Sequence, residues 1–321
     1  MDPKDIADLI SDDILVNNGL IFEAKKTTIP TRKLGKTGRT VGMMSLGGES
    51  TIKHGTEKEA REIIEKAFEL GVTYIDTAPA YGPKTSEERI GKVIASGIDR
   101  KSFYLATKCD KRTFEPAWKQ INQSIERLQT TPDCIQVHHL DEMSEVEQIF
   151  DKQNGAMKAL WRAQDEGLCK YLGITGHSDP TVLLEALNRY NYNTVLGALN
   201  IADQYSYSFQ SRLLPYCVEN NIGFIAMKVC ARGAIFKKDH VETMKECLDY
   251  VWSVPGVSTA IVGISTVEQL EHNIKLAKKH KTLTTEQLLN LEKKVISYSD
   301  KALYFRRGHE WVDPRLPIQV K

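Results

Sequence analysis

Short apolar runs alternate along the chain with longer segments in which apolar residues recur every three or four positions. The first pattern is typical of buried strands and the second of one helix face, as at Ala60, Ile63, Ile64, Ala67 and Phe68. Eight runs are predicted to be strands: Val41–Leu46, Thr73–Asp76, Phe103–Lys108, Cys134–His138, Tyr171–Thr175, Thr194–Asn200, Gly223–Met227 and Thr259–Gly263.

Eight strand–helix units in series predict a parallel sheet with helical crossovers. Eight strands also close a barrel, so the predicted fold is α/β, a (β/α)8 TIM barrel. A doubly wound open sheet is the alternative. Its first turn more often reads Gly-x-Gly-x-x-Gly, whereas this chain has Gly47-Gly48-Glu49-Ser50 there.

Three segments fall outside the repeat. Residues 1–28 form an N-terminal extension, at best an amphipathic helix. The turn residues within Thr31–Arg39 predict a hairpin that covers the barrel floor, and Thr284–Ser299 predicts one extra helix. We therefore expect one barrel domain over residues 29–300. The tail over residues 301–321 either folds over the mouth and shapes substrate choice or packs along the barrel wall.

Composition favours a globular protein, because 41% of the residues are hydrophobic and 26% are charged. A net charge of +1 gives no reason to expect a nucleic acid or an anionic membrane as partner.

No apolar run approaches the roughly 18 residues of a membrane span, and the acidic N-terminus is unlike a signal peptide. We expect a cytoplasmic protein, a monomer or weak oligomer. Its six scattered cysteines are expected to be free thiols, and no metal site is predicted.

Ionisable residues close three consecutive runs: Asp76 the second, Lys108 the third and His138 the fourth. Tyr81 follows shortly after Asp76. Singly, each has an ordinary explanation, such as a helix cap or a solvated lysine. Because the carboxyl ends of neighbouring barrel strands meet at one mouth, however, all four are expected to converge there. Such a set predicts a site that reduces carbonyl groups.

The four residues strongly resemble the catalytic tetrad of the aldo-keto reductases, and Gly71-x-x-x-x-Asp76-Thr77-Ala78-x-x-Tyr81-Gly82 matches a specific signature of that family. The resemblance extends from about residue 30 to residue 280. It implies hydride transfer from a nicotinamide to the carbonyl carbon of a small substrate. Tyr81 would be the general acid, with its pKa lowered by Lys108, which Asp76 would hold. His138 would orient the carbonyl oxygen.

The resemblance also implies cofactor contacts. Thr175 and Asn200 would bind the nicotinamide amide. Met227 stands where the family has an aromatic residue and would either pack on the ring or be an ordinary core residue. Lys228 and Arg232 would reach the phosphates or remain solvated loop charges. The remaining expected contacts are Gly47, Gly48, Gly263, Ser265, Gln269 and Asn273.

Ser265, Gln269 and Asn273 match a family branch that reads Gly-x-Ser-x-x-x-Gln-x-x-x-Asn, at a helix start suited to an anion. NADPH is favoured by this resemblance, with NADH as the alternative. The chain also resembles a prokaryotic subgroup often joined to an iron–sulfur module, but no cysteine follows Cys247, so no such cluster is expected.

Two other functions stay open at this stage. One is a nicotinamide-binding regulatory subunit with little turnover, like the potassium-channel β subunits of the same superfamily. The other is a Schiff-base aldolase with Lys108 as nucleophile, although a neighbouring Asp76 would keep that lysine protonated. The sequence does not name the substrate.

Overall fold

Eight parallel strands close into a barrel in this computed structural model, which describes residues 29–82 and 85–306. Each strand pairs with its neighbour in the chain, and the last pairs with the first, so the predicted (β/α)8 fold is confirmed. A two-stranded hairpin, β1 and β2, precedes the barrel. The strands are β1 Thr31–Lys33, β2 Thr40–Gly42, β3 Met44–Gly47, β4 Tyr74–Asp76, β5 Tyr104–Cys109, β6 Cys134–Val137, β7 Tyr171–Gly176, β8 Thr194–Ala198, β9 Gly223–Met227 and β10 Val257–Gly263.

Helices follow the barrel strands and cover their outer face with apolar side chains. The α-helices are α1 Thr51–His54, α2 Glu57–Glu69, α3 Thr85–Ala95, α4 Phe114–Leu128, α5 Met143–Ile149, α6 Met157–Asp165, α7 Pro180–Arg189, α8 Phe209–Arg212, α9 Leu214–Glu219, α10 Met244–Ser253, α11 Val267–Lys279, α12 Thr285–Val295 and α13 Ser299–Ala302. Short 3-10 helices lie at Gly35–Thr37, Arg100–Ser102, Asp203–Tyr205, Ala231–Gly233 and Ile296–Tyr298.

Local sequence sets where the helices begin and end. Thr56 and Glu59 form a capping box at the start of α2, which buries the predicted apolar face. Gly71 follows that helix with a φ of 87°, a left-handed conformation that favours glycine. Asp179 caps α7 and Pro180 is its first residue, where the fixed φ of proline suits a helix start.

The first predicted strand is wrong in its extent. The run from Val41 to Leu46 is divided between two sheets, because β2 pairs antiparallel with β1 while β3 pairs with β4 and β10. Met43 lies at the division, and its N–H donates to the carbonyl of Pro30 (2.8 Å). A continuous apolar run does not reveal such a change of partners.

Other boundaries differ by one or two residues. His138 follows β6 and Asn200 lies beyond the end of β8, although both were predicted inside strands. The predicted C-terminal helix ends at Val295 and continues as a 3-10 turn and α13. The predicted N-terminal extension lies outside the described residues.

The hairpin covers the amino-terminal end of the barrel, as predicted. Leu34 is fully buried and packs with inward-facing residues of the strands. Gly35 lies so close to β9 that a Cβ there would come within 2.2 Å of the amide nitrogen of Gly223. The Tyr171 hydroxyl donates to the carbonyl of Thr37 (2.6 Å) and ties the hairpin to β7.

No helix in the described ranges is long and apolar enough to cross a membrane.

We predict that Leu34→Ala lowers the free energy of unfolding by about 2–5 kcal/mol, because it leaves a cavity beneath a packed barrel interior. Chemical denaturation measures the change. Leu289→Ala, at a helix position where the leucine is 49% exposed, is the matched control and should change stability by less than about 1 kcal/mol. Equal losses of stability in the two variants would contradict the role of Leu34 in closing the floor of the barrel.

Candidate active site

The predicted catalytic residues lie together at the carboxyl end of the barrel. Side chains alternate between the two faces of a strand, so Asp76 and Tyr74 on β4, and Lys108, Ala106 and Tyr104 on β5, point the same way. Tyr74, Tyr104 and Ala106 pack in the apolar cluster around Leu34 at the floor. The same alternation therefore places Asp76 and Lys108 inside the barrel, nearer its mouth.

Asp76 and Lys108 form an ion pair with side chains only 3% and 1% exposed. Lys108 also donates to the carbonyl of Thr77 (2.8 Å). The second Asp76 oxygen accepts a hydrogen bond from the Gln136 amide (3.0 Å). Both charges are thereby satisfied in the interior, where an unpaired charge would be costly.

Tyr81 lies in the turn between β4 and α3, with its ring beside this pair. The Nζ atom of Lys108 is 4.7 Å from the centroid of the Tyr81 ring. The His138 ring meets the Tyr81 ring edge-on, with the centroids 6.0 Å apart. The structure thus brings all four predicted catalytic residues into one cluster.

Burial raises the pKa of the Tyr81 phenol well above its ordinary value, and the carboxylates of Asp76 and Glu49 raise it further. The lowering of this pKa that the sequence predicts for Lys108 does not dominate, since the charge of Lys108 is paired with Asp76 and burial has the largest effect. Burial also raises the pKa of Asp76, against the opposing effects of Lys108 and Gln136.

His138 is held in a neutral form. Burial lowers its pKa well below the ordinary value, and the positive charges of Lys108 and Arg112 act in the same direction. Its backbone is fixed from both sides, since its N–H donates to Cys109 (2.8 Å) and its carbonyl accepts from Arg112 (2.9 Å). A neutral imidazole retains one N–H that can donate to an acceptor.

The glycines predicted to contact a cofactor lie at the ends of β3 and β10. A Cβ at Gly48 would come within 2.8 Å of the carbonyl of Asp76. Close packing therefore requires glycine at this position, whether or not a cofactor binds there. Gly47 and Gly263 are paired across the two strands, and a Cβ on Gly263 would meet Ser50 at 3.1 Å. All three glycines border the mouth.

Thr175 and Asn200 already make local contacts. The Thr175 hydroxyl accepts from the His139 N–H (2.9 Å), and retains its own hydrogen as a donor. The Asn200 amide donates to the carbonyl of Lys228 (3.2 Å), and its oxygen accepts from Ala202 (2.9 Å). Asn200 therefore fixes the loop after β9, a contact that sequence reasoning did not foresee.

The loop after β9 carries the predicted cations. Met227 ends the strand half-buried, and Lys228 and Arg232 adopt left-handed conformations with φ of 58° and 54°. Arg232 forms an ion pair with Glu49, which follows β3. Burial tends to raise the pKa of Glu49, but the charges of Lys228 and Arg232 outweigh it and lower that pKa.

The segment after β10 forms the predicted helix start. Thr266 caps α11, and the Gln269 side chain accepts from the Ser265 N–H (2.9 Å). Ser265 and Gln269 are exposed, whereas Asn273, one turn further along α11, is buried. Ser265 and Gln269 are thus at the surface beside the mouth, and Asn273 packs beneath them.

Sequence reasoning missed three side chains at the mouth: Gln136, Glu49 and Arg306. Gln136 could have been found from the alternation of side chains along a strand. It lies two residues before His138, so its side chain is expected to point to the same, inner side of the barrel. Arg306 is buried and donates to the carbonyl of His177 (2.7 Å) and to that of Ala198 (3.0 Å). The tail is therefore attached at the mouth up to residue 306, and residues 307–321 lie outside the described ranges.

Comparison with known proteins agrees with this geometry. The profile of the Aldo/keto reductase family matches residues 40–246. L-galactose dehydrogenase from Arabidopsis thaliana is 27% identical over 298 residues, covering 81% of this chain and 92% of the relative. The uncharacterized oxidoreductase YqkF from Bacillus subtilis is 26% identical and covers 81% of this chain and 95% of its own length.

A solved structure shares the fold. The holo form of the aldo-keto reductase AKR11C1 from Bacillus halodurans superposes with a TM-score of 0.68, at 23% identity over 83% of this chain and 96% of that one. The family profile spans more than half of the chain. This chain belongs to the aldo/keto reductase family and is an NAD(P)H-dependent oxidoreductase that acts on carbonyl compounds.

Proposed function

We propose that the protein reduces a small aldehyde or ketone to the alcohol with NADPH, using Tyr81 as general acid. The observation that supports this proposal is the buried Asp76–Lys108 pair against the Tyr81 ring, with the His138 ring edge-on to the same tyrosine. Acid catalysis at a carbonyl needs a proton donor and a second donor that polarises the same oxygen. Tyr81 and His138 are suited to these two roles.

Tyr81 supplies the proton as negative charge develops on the carbonyl oxygen. Its raised pKa keeps the phenol protonated across the neutral range. Transfer remains favourable, since the alkoxide formed by hydride addition is a stronger base than a phenolate. A high pKa is therefore compatible with a role as acid in the reductive direction.

Lys108 and Asp76 orient this acid. The lysine charge lies over the Tyr81 ring at 4.7 Å and is fixed by Asp76 and the carbonyl of Thr77. Gln136 holds the other oxygen of Asp76 and acts as a positioning residue. The ion pair also argues against Lys108 as a Schiff-base nucleophile, since its nitrogen is already engaged by Asp76 and by the carbonyl of Thr77.

The mouth fits a nicotinamide dinucleotide. Thr175 retains a hydroxyl hydrogen for the amide, and Met227 offers a half-buried thioether at the strand end. Lys228 and Arg232 provide positive charge, and the start of α11 beside Ser265 provides the positive end of a helix dipole, both suited to phosphates. When bound, the cofactor supplies the hydride. Gln269 and Asn273 complete the proposed adenosine-phosphate site, and NADH is the competing cofactor.

The substrate class is open to a direct assay. One relative is named for a dehydrogenase of L-galactose, so sugars belong in the panel beside simple aldehydes and ketones. A regulatory subunit with little turnover is the competing function. It predicts cofactor binding without reduction of any member of the panel.

Tyr81→Phe should lower the reductase kcat by about 10²–10⁴-fold, because it removes the general acid. Oxidation of NADPH and of NADH with the carbonyl panel measures kcat, and fluorescence titration measures the Kd of each nucleotide. The Kd should stay nearly unchanged. Full turnover in this variant would overturn the assignment of Tyr81, and binding without turnover by the unmodified protein would favour the regulatory subunit.

Gln136→Met should lower kcat by about ten- to hundredfold, because it removes a hydrogen bond to the buried Asp76 carboxylate. It should also shift the pH–rate profile, which a loss of folding alone would not do. Gln120→Met is the matched control, since Gln120 is another buried glutamine with an aspartate partner, Asp110, but lies on the outer helix α4. Equal effects of the two substitutions would argue against the positioning role.

The pH dependence should differ between the two directions of the reaction. Tyr81 stays protonated because its pKa is raised. His138 stays neutral because its pKa is lowered. The kcat for reduction should be nearly flat between about pH 6 and 9, whereas alcohol oxidation, which needs the phenolate, should rise with pH. Steady-state kinetics in both directions tests this. A fall in reduction with a midpoint at the ordinary histidine pKa would contradict it.

A further inference from the structure

A cluster of two histidines and an aspartate lies beside the catalytic residues and has no part in the proposed reduction. Its members are His139 and Asp141, in the loop after β6, and His177, directly after β7. One donor atom from each lies within 4.8 Å of the others. We propose that this cluster is a binding site for a divalent transition-metal cation, with zinc as the reference ion.

Asp141 lies close to both histidines, which suits it to share a metal ion with them. Its Oδ1 atom accepts from the N–H groups of His177 (2.7 Å) and Ser178 (2.9 Å). Its Oδ2 atom faces both imidazoles, in a hydrogen bond with His139 Nδ1 and 3.9 Å from His177 Nδ1. One carboxylate oxygen and one ring nitrogen from each histidine thus lie within 4.8 Å of one another.

The two rings lie side by side, with their centroids 4.3 Å apart. Zinc binds imidazole nitrogen and carboxylate oxygen at about 2.0–2.2 Å, so ligand atoms around it are separated by roughly 3–3.5 Å. Binding of an ion therefore requires the His139–Asp141 hydrogen bond to lengthen and the 3.9 Å gap between His177 and Asp141 to shorten.

The backbone holds the ligands in place. His139 has a φ of 59°, an uncommon conformation for a residue other than glycine and one that persists when its surroundings fix it. Its N–H donates to Thr175 (2.9 Å), and its carbonyl accepts from Arg112 (2.8 Å). Arg306 holds the carbonyl of His177 (2.7 Å).

Gly176 explains how the two segments come together. A Cβ at this position would lie 2.7 Å from the carbonyl of Leu140, so only glycine lets the loop after β6 rest on the end of β7. That approach places His139 and Asp141 beside His177. The His139 side chain is 43% exposed, which gives an ion access from solvent.

The ligand set selects the kind of cation. Two imidazoles and one carboxylate suit zinc, nickel, copper and iron, whereas calcium and magnesium prefer sites made of oxygen ligands. The three protein ligands leave coordination positions for water. The sequence predicted no metal site, because the three residues come from two different strand–loop units, those of β6 and β7, and show no ligand-spacing motif.

Titration of Zn²⁺ into the purified full-length protein tests the site. Calorimetry should show one ion per chain. His139→Ala and His177→Ala should each weaken binding by about tenfold or more, since even second-shell changes cost that much at metal sites. His272→Ala, which removes an exposed histidine from α11, is the matched control and should leave the Kd unchanged.

Co²⁺ provides a second readout that does not depend on the variants folding. Its visible spectrum should show ligand-field bands without the intense thiolate-to-metal band that cysteine ligation gives. Absence of Zn²⁺ binding would overturn the proposal. So would a thiolate band, or an unchanged Kd in a folded His139→Ala variant.

Discussion

The site depends on one buried ion pair, Asp76 with Lys108. Removing two charges from water costs several kcal/mol per ion, so such a pair persists only where hydrogen bonds satisfy what the partner does not. The barrel supplies them from two places: the carbonyl of Thr77, just after β4, accepts from the lysine, and the Gln136 amide on β6 donates to the aspartate. Strand register makes this feasible. Asp76 is level with Ala106, and the longer Lys108 side chain reaches it from two residues further along β5.

The pair also depends on what lies beneath it. Tyr74 stacks on Tyr104 with centroids 5.1 Å apart, and Tyr104 on Tyr171 at 5.9 Å, which forms a row of rings across the lower barrel. Leu34 from the hairpin closes the layer below. An apolar floor under a charged layer separates the ion pair from solvent at the amino-terminal end. The charges are therefore held at the mouth, where a substrate can reach Tyr81.

The sequence was sufficient to predict the barrel and the cluster of Asp76, Tyr81, Lys108 and His138 at its mouth, since both follow from periodicity and from polar residues at or near the ends of apolar runs. It was insufficient for contacts between distant segments. Gln136 and Asp76 are separated by 60 residues, and Glu49 and Arg232 by 183. The direction of the Tyr81 pKa shift was hidden for a related reason. The sequence showed a lysine near a tyrosine, but it did not show the burial and the neighbouring Asp76 carboxylate, both of which raise that pKa.

The rim of the mouth is fixed mainly by cations that bind carbonyl groups. Arg112 binds the loop after β6, while Arg306 binds the ends of β7 and β8 and pairs with the buried Asp203. A guanidinium has several donors in one plane, so it can bind carbonyls at two strand ends at once.

Because Arg306 comes from the C-terminal segment, the loop that carries His177 is positioned by a residue 129 positions away. The mouth is therefore not formed by the eight strands and their loops alone. It requires the segment that follows the barrel, which explains why the surroundings of Thr175 and His177 could not be inferred from the strand–helix repeat alone.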